Sequence, residues 1–315
     1  MKPLVIYHNN CADGFGAAFA AWLKFGDEAE YIPMQYGFHV DDLDNIPYQG
    51  NEVYMVDFSW PKPLMDNLFE KARKVVWLDH HKTAFEMWLG GIPDVGIWRE
   101  DNWHAGATPR SRYILLDNNK SGAMIAWEYF HPDKEIPMLI RHIDDYDRWQ
   151  FKLEGTKEFN KALWSYSPWS FEQWQNKFFR GMREVSGSDE ASEKKKSLIS
   201  EGAAILRAHD QNVQAVVKDA SRECIISTGP LLPHMHVGFA ANCPPHLASD
   251  VGHQLAKQSG TYGLLWYIDK EGKCKCSLRS NGDYDVSAIA KIFGGGGHKN
   301  AAGFEVSIEQ LLEWI

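Results

Sequence analysis

The run VVWLDHH, residues 75–81, ends an apolar stretch on a carboxylate and two imidazoles, Asp79, His80 and His81. A strand over residues 75–78 would deliver all three at its carboxyl end, the edge where open α/β sheets bind ligands. Adjacent oxygen and nitrogen donors suit Mn2+ or a similar divalent ion. Taken alone, the tripeptide reads equally well as a solvated loop. It has company, however. Asp57 follows an apolar run in VYMVDFSW, and Asp13 follows another in HNNCADGFG, alongside His8 and Cys11. Gly14 and Gly16 would let backbone come close to an anion at the helix start there. A further acidic group, Asp144, Asp145 and Asp147 in RHIDDYDRW, ends a predicted helix. Any one of these aspartates reads as a cap or turn residue. Together they gather like charge at one sheet edge, which calls for a cation. A hydrolase with one or two metal ions is the chemistry that fits, the ion polarising a phosphoryl oxygen and acidifying a water.

A second constellation lies near the carboxyl end. In FGGGGHKNAAGF, Gly294, Gly295, Gly296 and Gly297 precede His298. Unshielded backbone N–H groups suit a phosphate or a close backbone approach, and a flexible loop is the plainer alternative. Arg279 in SLRSNG offers a planar fork for a terminal phosphate, or is an exposed residue at a strand end. Trp103 and His104, in the polar stretch REDNWHAG, are candidates for base stacking, against an ordinary loop.

The elements that must position these groups follow from apolar periodicity. Strands are predicted at 4–7, 30–33, 52–56 and 74–78, and helices at 14–25, 61–72, 121–130, 137–143 and 172–183. Ser59 is the expected cap of the second helix. This pattern gives an α/β domain with a mostly parallel sheet. The polar stretch SGSDEASEKKKS, 186–197, reads as a surface segment leading into a connecting helix. Beyond it, strands at 213–217, 223–227, 262–268 and 273–278 and helices at 246–257 and 286–292 describe a smaller α/β module. The expected organisation is therefore a first domain over 1–185, a connector over 186–212 and a second domain over 213–315.

The chain of 315 residues carries 33 basic and 42 acidic side chains, a net charge of -9. That balance excludes long duplex nucleic acid as the main partner and leaves short anionic ligands, held by a local positive pocket or an ion. Cys11, Cys224, Cys243, Cys274 and Cys276 are scattered and odd in number, so reduced thiols are expected. Cys274 and Cys276 would share one face of a strand. Neither a leader peptide nor a membrane span is apparent, and a cytoplasmic protein is expected, as monomer or homodimer.

In their order along the chain, His8 to Asp13, Asp57, Asp79-His80-His81, Asp145, Arg279 and Gly294 to His298 resemble the DHH phosphoesterases that carry a DHH-associated C-terminal domain. The resemblance spans nearly the whole chain. It implies two lobes with the active site in the cleft between them and one or two manganese ions, magnesium or another divalent ion being the alternative. Asp57 would bridge two ions, His80 and Asp145 would bind one of them with Asp13, and His8 would help bind the other. Asp79 and His81 would support that site or touch the phosphate, and Arg279, Gly295, Gly296, Gly297 and His298 would grip the substrate. Asp145 is chosen over Asp144 and Asp147 because DYDRW matches the family's acidic-aromatic motif. The implied substrate is very short RNA, especially a 5′-phosphorylated dinucleotide such as pGpG. The alternatives are an exopolyphosphatase, a phosphatase of adenosine bisphosphate, or a nucleotide receptor without catalysis. This chain departs from the family where Cys11 replaces the usual aspartate of the first motif, and the spacing from His8 to Asp13 is one residue longer. Manganese prefers oxygen, so the first ion position is weak, shifted, empty or filled by a different ion.

Overall fold

The computed structural model describes residues 1–35, 43, 45–89, 95–104, 109–179, 189–227 and 236–315. The chain divides into two compact units, Met1–Ile205 and Leu206–Ile315. In the first, β1 (Leu4–His8), α1 (Ala12–Phe25), β2 (Glu30–Met34), β3 (Glu52–Val56), α2 (Lys62–Lys71), β4 (Lys74–Asp79), α3 (Lys82–Leu89), β5 (Val95–His104) and β6 (Pro109–Asp117) precede α4 (Gly122–Phe130), α5 (Met138–Asp147) and α6 (Thr156–Ser165). The strands lie in the order β2-β1-β3-β4-β6-β5. All neighbours are parallel except β5, which runs antiparallel to β6 at the edge. The order reverses direction beside β1, so the chain leaves β1 and β3 towards opposite sides and opens a crevice at their carboxyl ends.

The central strands are apolar without interruption because both faces of the sheet are covered. Val5, Tyr7, Val56, Val76 and Leu78 pack under α1, α4 and α5, and Leu4, Ile6, Met55, Val75 and Trp77 under α2 and α3. Ala17, Ala18, Ala20 and Ala21 of α1 are wholly buried. Their small side chains let α1 and α4 lie close together, which later sets the position of Asp13.

A short turn, α7 (Phe171–Gln173), continues into a π-helical segment, Trp174–Phe179; the rest of the helix expected over 172–183 lies outside the described residues. The long helix α8 (Asp189–Asp219) crosses from the first unit to the second. The second unit contains β7 (Ser221–Ile226), β8 (His236–Asn242), α9 (Ala248–Ser259), β9 (Tyr262–Ile268), β10 (Cys274–Ser280), α10 (Val286–Ile292), β11 (Gly296–His298), β12 (Ala301–Val306) and α11 (Ile308–Leu312). Its sheet runs β11-β12-β10-β9-β8-β7 and is mixed, with only β8 and β9 parallel. Cys274 and Cys276 do share the buried face of β10.

Several local expectations need correction. Residues 213–217 are helical, not a strand: Val213 and Val217, four apart on α8, pack with Leu255 and Leu265, and no breaker separates them from the helix before. Pro61 rather than Ser59 stands at the start of α2, without a side-chain cap. The predicted helix at 137–143 runs on to Asp147. Trp103 and His104 belong to the backbone of β5, not to a loop, and their side chains lie outside the described residues.

Candidate metal centre

The crevice at the ends of β1, β3 and β4 collects the side chains singled out above. His8 is the last residue of β1, Asp13 lies in the first turn of α1, Asp57 follows β3, and Asp79 ends β4 just before His80 and His81. Asp57 holds a left-handed backbone, φ 52°, while its N–H still donates to Leu78 O at 2.9 Å. Such a conformation is uncommon for a residue with a side chain and is concentrated at functional sites. It turns the carboxylate out of the strand's alternation and over the sheet edge.

The resulting geometry is tight. His80 Nε2 stands 3.1 Å from Asp57 Oδ1 and 3.4 Å from Asp13 Oδ2, and His8 Nδ1 is 3.8 Å from Asp57 Oδ2. Asp79 Oδ1 accepts from the backbone N–H groups of His80 and His81 and lies 2.7 Å from His81 Nδ1, so it shapes the turn and orients the ring. Asp13 is held by α4: its Oδ2 accepts from Gly122 N at 2.7 Å and its Oδ1 from Ala123 N at 2.8 Å. Those N–H groups have no partner within the helix and carry the positive end of its dipole, so they favour a carboxylate. Ser121 completes this start by accepting from Met124 N, and Asp144 Oδ1 accepts from Ser121 N at 2.7 Å.

Asp13, Asp57, Asp79 and His80 are each no more than 5% exposed. Burial raises the Asp13 carboxyl well above its usual range, and Asp57 and Asp147 add to the rise. Burial acts the same way on Asp57, but His8, His80 and His81 outweigh it and hold that carboxyl far below normal. For His80, burial favours the neutral ring, yet Asp57, Asp147 and Asp13 prevail and raise its pKa well above the usual value. The acids around His80 thus favour a positive charge at the centre of the cluster, the charge a divalent ion would supply.

The donor set fits such an ion. Ligand atoms of Asp13, Asp57 and His80 lie within 4.8 Å of one another, as do those of His8, Cys11 and Asp57, and those of Asp57, Asp79 and His81. Asp57 is common to all three groups. Its Oδ1 is buried with His80 Nε2 at 3.1 Å, and Asp79 Oδ2 is buried with no hydrogen-bond partner. An orphaned buried carboxylate oxygen is costly unless something charged meets it.

The second unit carries a matching domain signature. Residues 244–315 match the DHHA1 domain model. The uncharacterized protein R106 of Acanthamoeba polyphaga mimivirus is 30% identical over 322 residues, an alignment covering 96% of this chain and 67% of that protein. Oligoribonuclease NrnB of Bacillus subtilis (strain 168) is 22% identical over 318 residues, covering 96% of this chain and 73% of NrnB. The chain belongs to the DHH phosphoesterase superfamily. Among solved structures, RecJ of Thermus thermophilus in complex with Mn2+ aligns with a TM-score of 0.47 and 14% identity, over 99% of this chain and 50% of RecJ. The pGpG-specific phosphodiesterase PggH of Vibrio cholerae aligns with a TM-score of 0.44 and 11% identity, over 99% and 96% of the two chains.

In this DHH phosphoesterase the three acids of α5 have separate fates. Asp147 Oδ2 reaches to 3.8 Å from His80 Nε2 and keeps 29% of its side chain exposed. Asp145 turns away: its carboxylate accepts from Lys152 N, Leu153 N and Thr156 Oγ1 at 2.6–3.0 Å. Positions 144 and 147 share a helix face, whereas 145 is rotated by about 100° from 144. Burial raises the Asp145 carboxyl, but those three bonds lower it below the ordinary range on balance.

The Asp145 network continues into the core. His142 Nδ1 lies 2.8 Å from Thr156 Oγ1, which itself donates to Asp145, while the ring stacks on Phe159. Burial, aided by Lys195, pulls the His142 pKa down to about 4. Unfolded histidine binds its proton near pH 6.5, so between those values the unfolded chain is the better proton acceptor. The associated stability is complete above about pH 6.5 and is lost as pH falls towards the folded pKa, to a maximum of about 3 kcal/mol. Urea titrations across this range should show the loss, and His142→Phe should remove that part of the slope.

The remaining predicted residues belong to the second unit. Arg279 lies near the end of β10, its guanidinium donating to Leu278 O and to Ser249 Oγ at 2.9–3.0 Å. Burial lowers its pKa to about 10, against Asp250, and it stays charged at neutral pH. Only the second half of the glycine run is a strand: Gly294 lies in a turn, and Gly296 and Gly297 open β11. Gly296–His298 pair with Ala301–Gly303, and a Cβ on Gly295 or Gly297 would meet Gly303 O at 2.1 Å or Ala301 O at 2.5 Å. Close backbone packing therefore accounts for those two glycines.

In the sequence, Ser121 reads only as the start of a helix and Gly122 has no evident role. A Cβ on Gly122 would stand 2.4 Å from Asp57 Cβ and 2.5 Å from its Oδ1, so α4 can carry only glycine where Asp57 crosses it. The signal in the sequence was a glycine in the first turn of an otherwise good helix.

Proposed function

We propose that the chain is a divalent-metal phosphodiesterase that cleaves very short RNA to mononucleotides, with 5′-phosphorylated dinucleotides such as pGpG as preferred substrates. The observation that carries this reading is the meeting of ligand atoms of Asp13, Asp57 and His80 within 4.8 Å of one another in a buried crevice. The resemblance to an oligoribonuclease and the net charge of -9 support a substrate with few phosphates. A bound divalent ion, manganese in this reading, supplies phosphoryl polarisation and a water of lowered pKa. Asp13, Asp57, His80 and Asp147 hold it, with His8 and Cys11 beside Asp57. Asp79 orients His81, which donates a hydrogen bond to a phosphoryl oxygen. Arg279 and His298 grip the substrate's terminal phosphate. The reading keeps the chain in the cytoplasm, where thiols stay reduced.

Asp147 takes the role the motif alignment gives to Asp145, because Asp145 spends its oxygens on backbone and Thr156 donors. Asp147→Asn is expected to weaken Mn2+ binding by about tenfold or more in calorimetry. Asp145→Asn should instead lower stability by about 1–3 kcal/mol and leave Mn2+ affinity nearly unchanged.

Incubation with dinucleotides, adenosine bisphosphate and polyphosphate in manganese, followed by chromatography, tests the substrate. Mononucleotides released from pGpG are the expected product. Orthophosphate from polyphosphate or adenosine bisphosphate alone would replace this reading with the phosphatase alternative, and no turnover of any of them would favour a receptor.

A further inference from the structure

We propose that the ion position beside His8 takes Cys11 as a thiolate ligand, and that this position selects a thiophilic divalent ion such as Zn2+ over Mn2+. The inference rests on the reading that the Asp57 cluster is a metal centre, and it concerns which ion this chain accepts there. His8, Cys11 and Asp57 each bring one ligand atom to within 4.8 Å of the others, an imidazole nitrogen, a sulfur and a carboxylate oxygen. Independently of the cysteine, the other oxygen of Asp57, Oδ2, lies 3.8 Å from His8 Nδ1 on a side chain that is only 1% exposed.

Local structure explains how sulfur comes to be there. The connection from β1 to α1 passes through Asn10 with φ 52°, a conformation asparagine tolerates, and then through Cys11 in extended backbone at the head of α1. Serine, threonine, aspartate and asparagine are preferred at that position because they bond to the helix N–H groups. Cys11 makes no such cap bond, and its sulfur instead joins His8 and Asp57. It is also the one half-buried cysteine, since Cys224, Cys243, Cys274 and Cys276 are all buried in the second unit.

A mixed nitrogen, sulfur and oxygen set suits zinc and similar borderline ions, whereas manganese favours oxygen throughout. Ligation breaks the Sγ–H bond, forms a sulfur–metal bond and releases the proton to solvent, without oxidation or reduction. Asp13, His80 and Asp147 offer only oxygen and nitrogen, so a donor set built on them is harder than the set His8, Cys11 and Asp57.

The test uses the full chain, stripped with a chelator and titrated with Co2+ as a spectroscopic probe. The expected result is a near-ultraviolet sulfur-to-cobalt charge-transfer band that disappears in Cys11→Ser and in Cys11→Asp. Visible ligand-field bands should persist in both variants, showing that each still folds and binds cobalt. In competition, Zn2+ should displace the Co2+ that gives the band more readily than Mn2+ does. Cys11→Asp should shift the Zn2+ to Mn2+ preference by about tenfold or more towards manganese. Ligand-field bands without a charge-transfer band in the unmodified chain, or a band unchanged in Cys11→Ser, would overturn the thiolate ligand while leaving the metal centre standing. Failure of Co2+ to bind at all would remove the metal centre and this proposal with it.

Discussion

Asp57→Asn is expected to lower turnover of a dinucleotide by about 10³-fold, equivalent to about 4 kcal/mol of lost transition-state stabilisation. Asparagine is the informative replacement because it tolerates the left-handed backbone that Asp57 adopts at φ 52°. The change therefore removes the charge without adding backbone strain, whereas alanine would do both. Among the described residues, every group of potential ligands within the first unit includes Asp57, so no neighbouring carboxylate there can take its place between His8 and His80. A second readout separates binding from chemistry. Manganese should raise the melting temperature of the unmodified chain by mass action, and this increase should vanish in Asp57→Asn. Equal turnover and an equal metal-induced shift in the two proteins would remove Asp57 from the site.

Gly122→Ala should be nearly as damaging, although it changes no candidate ligand. Glycine to alanine in a helix is ordinarily stabilising by roughly 0.5–1 kcal/mol. Here the new methyl would overlap the Asp57 side chain, with Cβ to Cβ only 2.4 Å, and the contact is with packed side-chain atoms beside backbone. Either Asp57 or the start of α4 must move. Movement of α4 also displaces the Gly122 and Ala123 N–H groups that hold Asp13, so two carboxylates are disturbed by one methyl. A misplacement of about 1 Å in a catalytic group can cost about 10²-fold in rate, and that is the loss expected. The measurement is kcat for a dinucleotide together with calorimetric Mn2+ affinity, and a variant matching the unmodified chain in both would show that α4 does not set the geometry.

The strand-end aspartates were readable because strand, acid and following helix are contiguous in sequence. Leu78-Asp79 and Val56-Asp57 place their carboxylates by the local rule that a parallel strand hands its next residues to the ligand-binding edge. The acids of α5 obey no such rule. Their spacing shows that Asp144 and Asp147 share a face and that Asp145 does not, but which face meets His80 depends on how α5 packs through Leu139, Ile140 and Ile143. In the second unit, Val213 and Val217 fit a strand by composition and a helix by spacing, and only their burial against Leu255 and Leu265 decides between them. The glycine run was equally ambiguous until its register with Ala301–Gly303 was known.

Sequence alone therefore determined the class of fold, the set of acidic and imidazole side chains, and the departure at Cys11, since these depend on residue identity and short-range order. Tertiary structure alone decided that Asp147 rather than Asp145 faces His80, that α4 clamps Asp13, and that Gly122 must lack a side chain. Those outcomes are set by helix phase and by distances between residues more than a hundred positions apart, as from Asp13 to Gly122 and Ala123, where contact arises from packing and not from any local pattern.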